Sequence, residues 1–400
     1  MACRTDGTLG GARASIRAWG WLGLGRPAVA TALVLCGILA GCGATPRPTA
    51  VPPAASAQHS AAAGPGLTLG SLHMVSASVG WAISGGSVLR TTDGGAAWGN
   101  VTPGGVLPRG TVLRAFSLNA ADAWAVVRGD MALTIYRTTD GGAAWRSAAL
   151  ATGSLRVSCD FVDPRHGWLL VDTGAVALQE AVSIYATADG GATWALVSRT
   201  GPAGASPGGL PFPGGKGGIA FSSPTVGWVA VNPPIPGGSV VYETTDGGRT
   251  WARRALPAPA VSGGLVYVYR PWFFSPSTGL APVQIIVPPA HTGDAGRLLW
   301  TVDETHDGGR SWSTQPAAPG GGLYSWLDAQ HGWQVVGPNL ESTSDGGRTW
   351  TAIPVHRSLS AVRQLDFVSL EVGWALESGP GGTTVLLRTT DGGRNWAPLG

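Results

Sequence analysis

An all-β fold follows from three observations. The pattern Thr-x-Asp-Gly-Gly-x-x-Trp occurs seven times along the chain, at a mean spacing of about 50 residues. A second element stands 12 to 27 residues before the Asp of each box: Gly80-Trp81, Ala123-Trp124, Gly167-Trp168, Gly227-Trp228, Gly332-Trp333 and Gly373-Trp374, with Gly279-Leu280 as the departure in the fifth repeat. No helical period of any length follows the N-terminal segment, whereas short apolar runs bounded by Gly and Asp turns recur throughout. Repeats of this length mark propellers or solenoids. Four strand signals per repeat and seven repeats without long gaps predict a seven-bladed β-propeller of four-stranded antiparallel blades.

Each repeat reads in the same order. An apolar stretch such as residues 362–368 is followed by a turn and by a strand opening at Gly-Trp. A third run, such as residues 133–138, enters the box, and a short fourth strand begins at the box Trp. Asp-Gly between β runs is a strong turn signal because Gly tolerates positive φ. Parallel β-helices are the main rival, but their coils are shorter and lack this hairpin chemistry. The first repeat begins with its first strand and the last ends with its fourth, so ring closure is expected to rest on packing between whole blades.

The boxes place Asp and Trp at Asp93 and Trp98, Asp140 and Trp145, Asp189 and Trp194, Asp246 and Trp251, Asp307 and Trp312, Asp345 and Trp350, and Asp391 and Trp396. A structural role is expected for all fourteen. A buried Trp covers about 150–250 Å², and an Asp whose carboxylate accepts turn N–H bonds is held ionised and is a poor acid-base catalyst.

The first 26 residues carry four Arg and one Asp, and residues 27–39 are apolar. Thirteen residues are too few to span a bilayer, which needs about 20, but they suit the apolar region of a secretory signal. Leu39-Ala40-Gly41-Cys42 follows and looks like the lipobox of bacterial lipoproteins. That likeness implies that residues 1–41 are a signal peptide and that Cys42 is the lipidated first residue of the mature chain. With Cys3 and Cys36 in the signal and Cys42 acylated, Cys159 is left single and no intrachain disulfide is available. Residues 42–66 read as a tether. Positions 43–66 hold five Pro, eight Ala and one charged residue, Arg47, and would reach roughly 25–30 Å as a coil or about 75 Å extended. The propeller is assigned to residues 67–400.

The box resembles the Asp-box, or BNR, repeat of sialidases, some endoglucanases, sortilin-type receptors and the photosystem II assembly/stability factor family. Seven such units with Gly-Trp partners behind a lipobox are most similar to the last of these and its bacterial relatives, over residues 67–400. The resemblance implies boxes on the hairpin between the third and fourth strands, and an Arg-bearing surface that contacts membrane-protein partners. A photosystem role is not carried over with it.

Composition narrows the function. Without residues 1–41 the chain holds 22 basic and 22 acidic residues, which argues against nucleic acid as a partner. No P-loop, nucleotide fingerprint or nucleophile elbow is present, and the His residues lack ligand spacing, so no catalytic residue, metal or cofactor is assigned. His166 and His331 both stand in His-Gly-Trp turns. A glycosidase needs two carboxyls flanking one sugar, and nothing in the sequence points to such a pair; the Arg-Ile-Pro motif of sialidases is absent.

Basic residues are nearly all Arg, with Lys216 the one Lys, and Arg249, Arg253, Arg254, Arg310, Arg348 and Arg394 cluster near boxes. The aromatic run at residues 267–274 is either the first strand of blade 5, aligning with Phe221-Ser222 of blade 4, or a contact surface or sugar platform. Arg253, Arg254, Trp272 and Phe273 are therefore the candidate partner contacts. The expectation is a monomeric, non-enzymatic lipoprotein on the outer face of the bacterial cytoplasmic membrane or envelope. Lipid on Cys42 holds it to the membrane, and it serves as a binding or assembly scaffold for a protein partner, with a glycan-binding or glycan-cleaving propeller as the alternative.

Overall fold

The computed structural model describes residues 68–399 apart from 106, 108–110, 131, 153, 155, 177–178, 233–239, 258–263, 290–295, 316–317 and 320. The chain divides into two units, Met1–Thr49 and Ala50–Gly400. The signal segment, Cys42 and the tether lie outside the described residues.

Seven antiparallel sheets follow one another along the chain, each with its strands in sequence order. Blade 1 comprises Ser71–Met74, Gly80–Ser84, Ser87–Thr91 and Gly99–Asn100, and blade 2 Val112–Ser117, Ala123–Arg128, Leu133–Thr138 and Arg146–Leu150. Blade 3 is Val157–Phe161, Gly167–Val176, Gln179–Thr187 and Ala195–Thr200, and blade 4 Gly215–Phe221, Gly227–Asn232, Val240–Thr244 and Ala252–Ala255. Blade 5 has Leu265–Val268, Gly279–Val287, Arg297–Thr305 and Ser313–Thr314, with two extra short strands, Trp272–Phe273 and Ala318–Pro319. Blade 6 is Leu323–Trp326, Gly332–Val336, Asn339–Thr343 and Thr351–Ile353, and blade 7 Val362–Phe367, Gly373–Ser378, Thr384–Thr389 and Ala397–Leu399. The architecture is the predicted seven-bladed propeller. No α-helix occurs among the described residues.

The core lies between blades, not within them. Six apolar clusters each join two neighbours, as Trp168, Leu170 and Ile184 of blade 3 meet Ile219, Phe221 and Trp251 of blade 4. A three-ring unit recurs at these seams. The Gly-Trp indole of one blade stacks on a Phe ending the first strand of the next, at 3.8 Å for Trp124 and Phe161, 3.5 Å for Trp168 and Phe221, 3.5 Å for Trp228 and Phe273, and 3.9 Å for Trp333 and Phe367. The box Trp of that second blade then meets the same Phe edge-on. Offset stacks and edge contacts are the favourable aromatic geometries.

The glycine of Gly-Trp follows from this unit. It pairs across the strands with the residue that ends the first strand: Phe161 with Gly167, Phe221 with Gly227, Phe367 with Gly373. A Cβ at Gly167, Gly227 or Gly373 would stand 2.2, 2.5 and 2.5 Å from the ring opposite. Blade 2 is the exception in both partners, because Ser117 replaces the aromatic and Ala123 the glycine. In blade 6 the larger Trp326 takes the Phe position, at the seam where Leu280 of blade 5 has replaced the Gly-Trp indole.

The first and third strands end at the same rim, where each box clasps the 1–2 turn of its own blade. The first box glycine donates its N–H to that turn in all seven blades, as Gly190 does to Arg165 O at 2.7 Å and Gly247 to Thr225 O at 2.9 Å. We call this the box end.

Blade 7 closes onto blade 1 without exchanging a strand. Side chains supply the join. Trp374 Nε1 donates to Gly94 O at 2.8 Å, and Asp366 accepts from Met74 N at 2.6 Å. Gln364 accepts from Leu72 N at 3.1 Å and its amide donates back to Leu72 O. Arg363 donates to the carbonyls of Leu69 and Gly70, and Thr384 Oγ1 accepts from Leu69 N at 2.8 Å.

Candidate functional site

The boxes use their own carboxylates. In each, the Thr hydroxyl donates to Asp Oδ1 and accepts from the N–H of the second glycine, which sits at positive φ. The same Oδ1 accepts the N–H four residues on, and in blades 3 to 7 the Thr, Ser or Asn at that place donates its side chain to Oδ2 at 2.6–2.7 Å. Burial opposes ionisation at most of these Asp residues, but the hydrogen bonds prevail and hold all seven below the usual carboxylate range. Asp189, Asp307, Asp345 and Asp391 sit at about 2. Replacing Asp246 with Ala strands several turn donors. We expect a loss of about 2 kcal/mol in thermal melts with partner capture retained; lost capture at an unchanged melting temperature would make the box a contact site.

Most box-side arginines are similarly occupied. Arg249, Arg348 and Arg394 fold back to donate to the Asp carbonyl of their own box, each at 2.8 Å. Arg348 also pairs with the buried Glu304 at 2.6 Å. Arg90, Arg137 and Arg388 roof the Gly-Trp indoles of their blades at 5.5–5.7 Å, a geometry that suits a planar guanidinium.

The four candidate contacts do not form one patch. Arg253 and Arg254 lie on the outermost strand of blade 4, where Arg253 is exposed and Arg254 holds the buried Glu243 at 2.8 Å. Trp272 and Phe273 stand on the opposite, inner side of blade 5, pairing with Leu280 and Gly279. Phe273 is a seam ring against Trp228, which makes Phe273-Phe274 the counterpart of Phe221-Ser222.

A different set of residues converges on the axis, drawn from the first strands of four blades and from residues 269–271 of blade 5. Arg270 reaches across blade 4, donating Nε to Ile219 O at 2.7 Å and Nη2 to Asp160 Oδ1 of blade 3 at 2.5 Å. The other oxygen of Asp160 accepts from Phe221 N at 2.6 Å. Arg114 of blade 2 hydrogen-bonds Cys159, and its charge bears on Arg270 and Asp160. His73 of blade 1, more than half exposed, stands 3.7 Å from Asp366 of blade 7 and within the fields of Arg114 and Arg270. Burial pushes the Cys159 thiol up to about 11 and raises Asp160 despite its arginine. At His73 the partial burial of the ring works against the charged form, but Asp366 outweighs it and raises the pKa.

Beside this cluster a cavity of about 380 Å³ opens between blades 3, 4 and 5, lined by Asp160, Ser222, Arg270, Pro271, Trp272 and Phe274 among others. Sequence reasoning found the aromatic wall and missed the axial charges. Asp160 and Asp366 do share one signal, a carboxylate directly before a seam Phe.

No protein-family model and no curated protein matches the chain. Solved structures do. A YCF48 bound to D1 peptide has a TM-score of 0.51 at 16% identity, covering 85% of this chain and 97% of that one. A YCF48 from Cyanidioschyzon merolae gives 0.48 at 17% identity, covering 82% and 95%. An ancestral GH74 enzyme gives 0.36 at 14%, covering 84% and 62%. At such identities the first of these shows a shared fold, the seven-bladed β-propeller, and nothing narrower.

Proposed function

We propose that this chain is a non-enzymatic propeller lipoprotein that binds a protein partner of the membrane or envelope and serves as a scaffold for it. The observation that carries the reading is the axial cluster at the box end. Arg114 and Arg270 bring two guanidinium groups to a carboxylate, Asp160, that is already engaged twice, and His73 stands beside Asp366. Such a centre favours the carbonyls and carboxylates of a polypeptide. A propeller of the same fold, YCF48, is known with a D1 peptide bound, so the architecture is compatible with a peptide ligand.

The acids at the axis act as ties between blades. Asp160 and Asp366 each accept a backbone N–H from the first strand of the next blade. The adjoining cavity is lined by a single carboxyl, Asp160, whereas glycoside hydrolysis needs two about 5–10 Å apart. A glycan is the competing ligand class. Export and anchoring rest on the lipobox and the tether composition, with two or more acyl chains giving stable retention.

In-cell crosslinking of the lipidated protein followed by mass spectrometry tests both parts. The expected result is recurrent capture of one membrane complex through peptides of the box end, and release of the Cys42→Ser variant into the soluble fraction. Glycan capture alone, or nothing above background, overturns the scaffold; a membrane-retained Cys42→Ser variant overturns the anchor.

A further inference from the structure

Three groups lining the cavity between blades 3, 4 and 5 are not fully used by the fold. Ser222 Oγ is buried and has no hydrogen-bond partner. Arg270 gives Nε to Ile219 and Nη2 to Asp160, and its side chain stays 30% exposed. Trp272 is half-buried. The seam indoles of the other blades stack on neighbouring rings, hydrogen-bond through Nε1 or belong to an apolar cluster, but Trp272 has no ring or Nε1 partner among the described residues. Its register partner is Leu280, at the one blade where the Trp of Gly-Trp is lost.

The chemistry of the lining selects a ligand. Ser222 and Arg270 offer N–H and O–H donors, while both oxygens of the one carboxylate are taken. A buried hydroxyl without a partner carries a desolvation cost that a ligand acceptor would relieve. Pro271, Trp272, Phe274 and Pro276 form an apolar wall. The cavity, about 380 Å³, is near the small end of the range for ligand sites and suits one large side chain.

We propose that this cavity is a specificity pocket for an aromatic side chain of an extended peptide, whose adjoining backbone carbonyl accepts from Ser222 and Arg270. The inference rests on the peptide-binding reading above and sharpens it, since the axial charges attract a polypeptide and the pocket selects one residue of it. Blade 5 has room for the pocket because residues 269–271 interrupt its first strand between Leu265–Val268 and Trp272–Phe273.

Saturation-transfer NMR on the full lipidated chain in detergent micelles tests it, with N-acetyl-tyrosine N-methylamide, N-acetyl-alanine N-methylamide and methyl glucoside as probes. Transfer is expected to the tyrosine probe alone, absent in Trp272→Ala and roughly tenfold weaker in Ser222→Ala. Ser222→Ala removes an unpartnered hydroxyl, so its melting temperature should be unchanged or higher; weaker binding in that variant cannot then be ascribed to unfolding. Transfer to the glucoside or alanine probe at equal strength, or tyrosine transfer indifferent to both substitutions, overturns the pocket. Failure here with partner capture intact in cells removes the pocket and leaves the scaffold. Tyrosine binding without any captured partner removes the scaffold and leaves the pocket.

Discussion

Asp303→Asn is expected to stabilise the protein at neutral pH and to leave it unchanged near pH 4. Asp303 lies on the third strand of blade 5, between Ala281 and Thr314, and is 1% exposed. The corresponding places in blades 1 to 4 and 7 are Leu89, Tyr136, Tyr185, Tyr242 and Leu387, all apolar or aromatic. Blade 6 has Glu341, which Gln334 caps at 2.8 Å. Asp303 is less well supported: Oδ1 is unpartnered, and the Thr314 hydroxyl that bears on the carboxyl also donates to Pro257 O. Burial pushes the carboxyl up to about 7, against the pull of Thr314, and no charged group contributes.

The folded chain therefore holds a proton that the unfolded chain releases near its ordinary value of 3.8. Between those two values the unfolded state binds fewer protons, so stability falls as pH rises from about 4 to 7 and is level above. The full loss is about 4 kcal/mol at 1.36 kcal/mol per unit. Asparagine is neutral throughout and escapes it. Denaturant melts of both proteins from pH 4 to 8 should converge at the acid end and separate by several kcal/mol at the other. Parallel curves would mean that Asp303 is ionised and solvated in the fold.

Gly227→Ala is expected to cost about 3 kcal/mol, the upper end for overpacking, although Ala123 stands at the same place in blade 2. The new methyl would lie 2.5 Å from the Phe221 ring. That ring cannot withdraw, being stacked on Trp168 at 3.5 Å and met edge-on by Trp251. Phe221→Ala alone should cost about 3–5 kcal/mol through the cavity it leaves. The informative variant is the double one. With the ring gone the methyl has space, so Phe221→Ala with Gly227→Ala should be no less stable than Phe221→Ala alone. Additive losses in a double-mutant cycle would show that the glycine is needed for its backbone and not for the ring opposite.

What could be read from the sequence and what could not divide along physical lines. The boxes, the Gly-Trp partners and the four-strand order are local devices, in which a turn, its carboxylate and a large apolar ring recur at fixed spacing, and these made the propeller legible. Even Ala123 and Leu280 proved to be matched by Ser117 and Trp326 across a strand or a seam. The axial cluster left no such trace. His73, Arg114, Asp160, Arg270 and Asp366 are up to 293 positions apart, and only ring closure assembles them. Asp303 was hidden for another reason. Blade strands are covered on both faces by neighbouring blades, so residues 300–305 are all buried, and the polar–apolar alternation that marks a half-solvated strand is missing.

The join between blades 7 and 1 has a mechanical consequence. A tension transmitted through the residues before Leu69 meets no strand zipped into a neighbouring sheet. It acts first on the Arg363, Thr384 and Gln364 contacts to Leu69, Gly70 and Leu72, and then on the four-residue ladder of Ser71–Met74 with blade 1. Pulled along its own axis that ladder is loaded in shear, all rungs together, whereas a sideways pull opens it one rung at a time. Forced opening is governed by the unfolding rate, so the direction of the pull at Leu69 sets how long the ring stays shut under load.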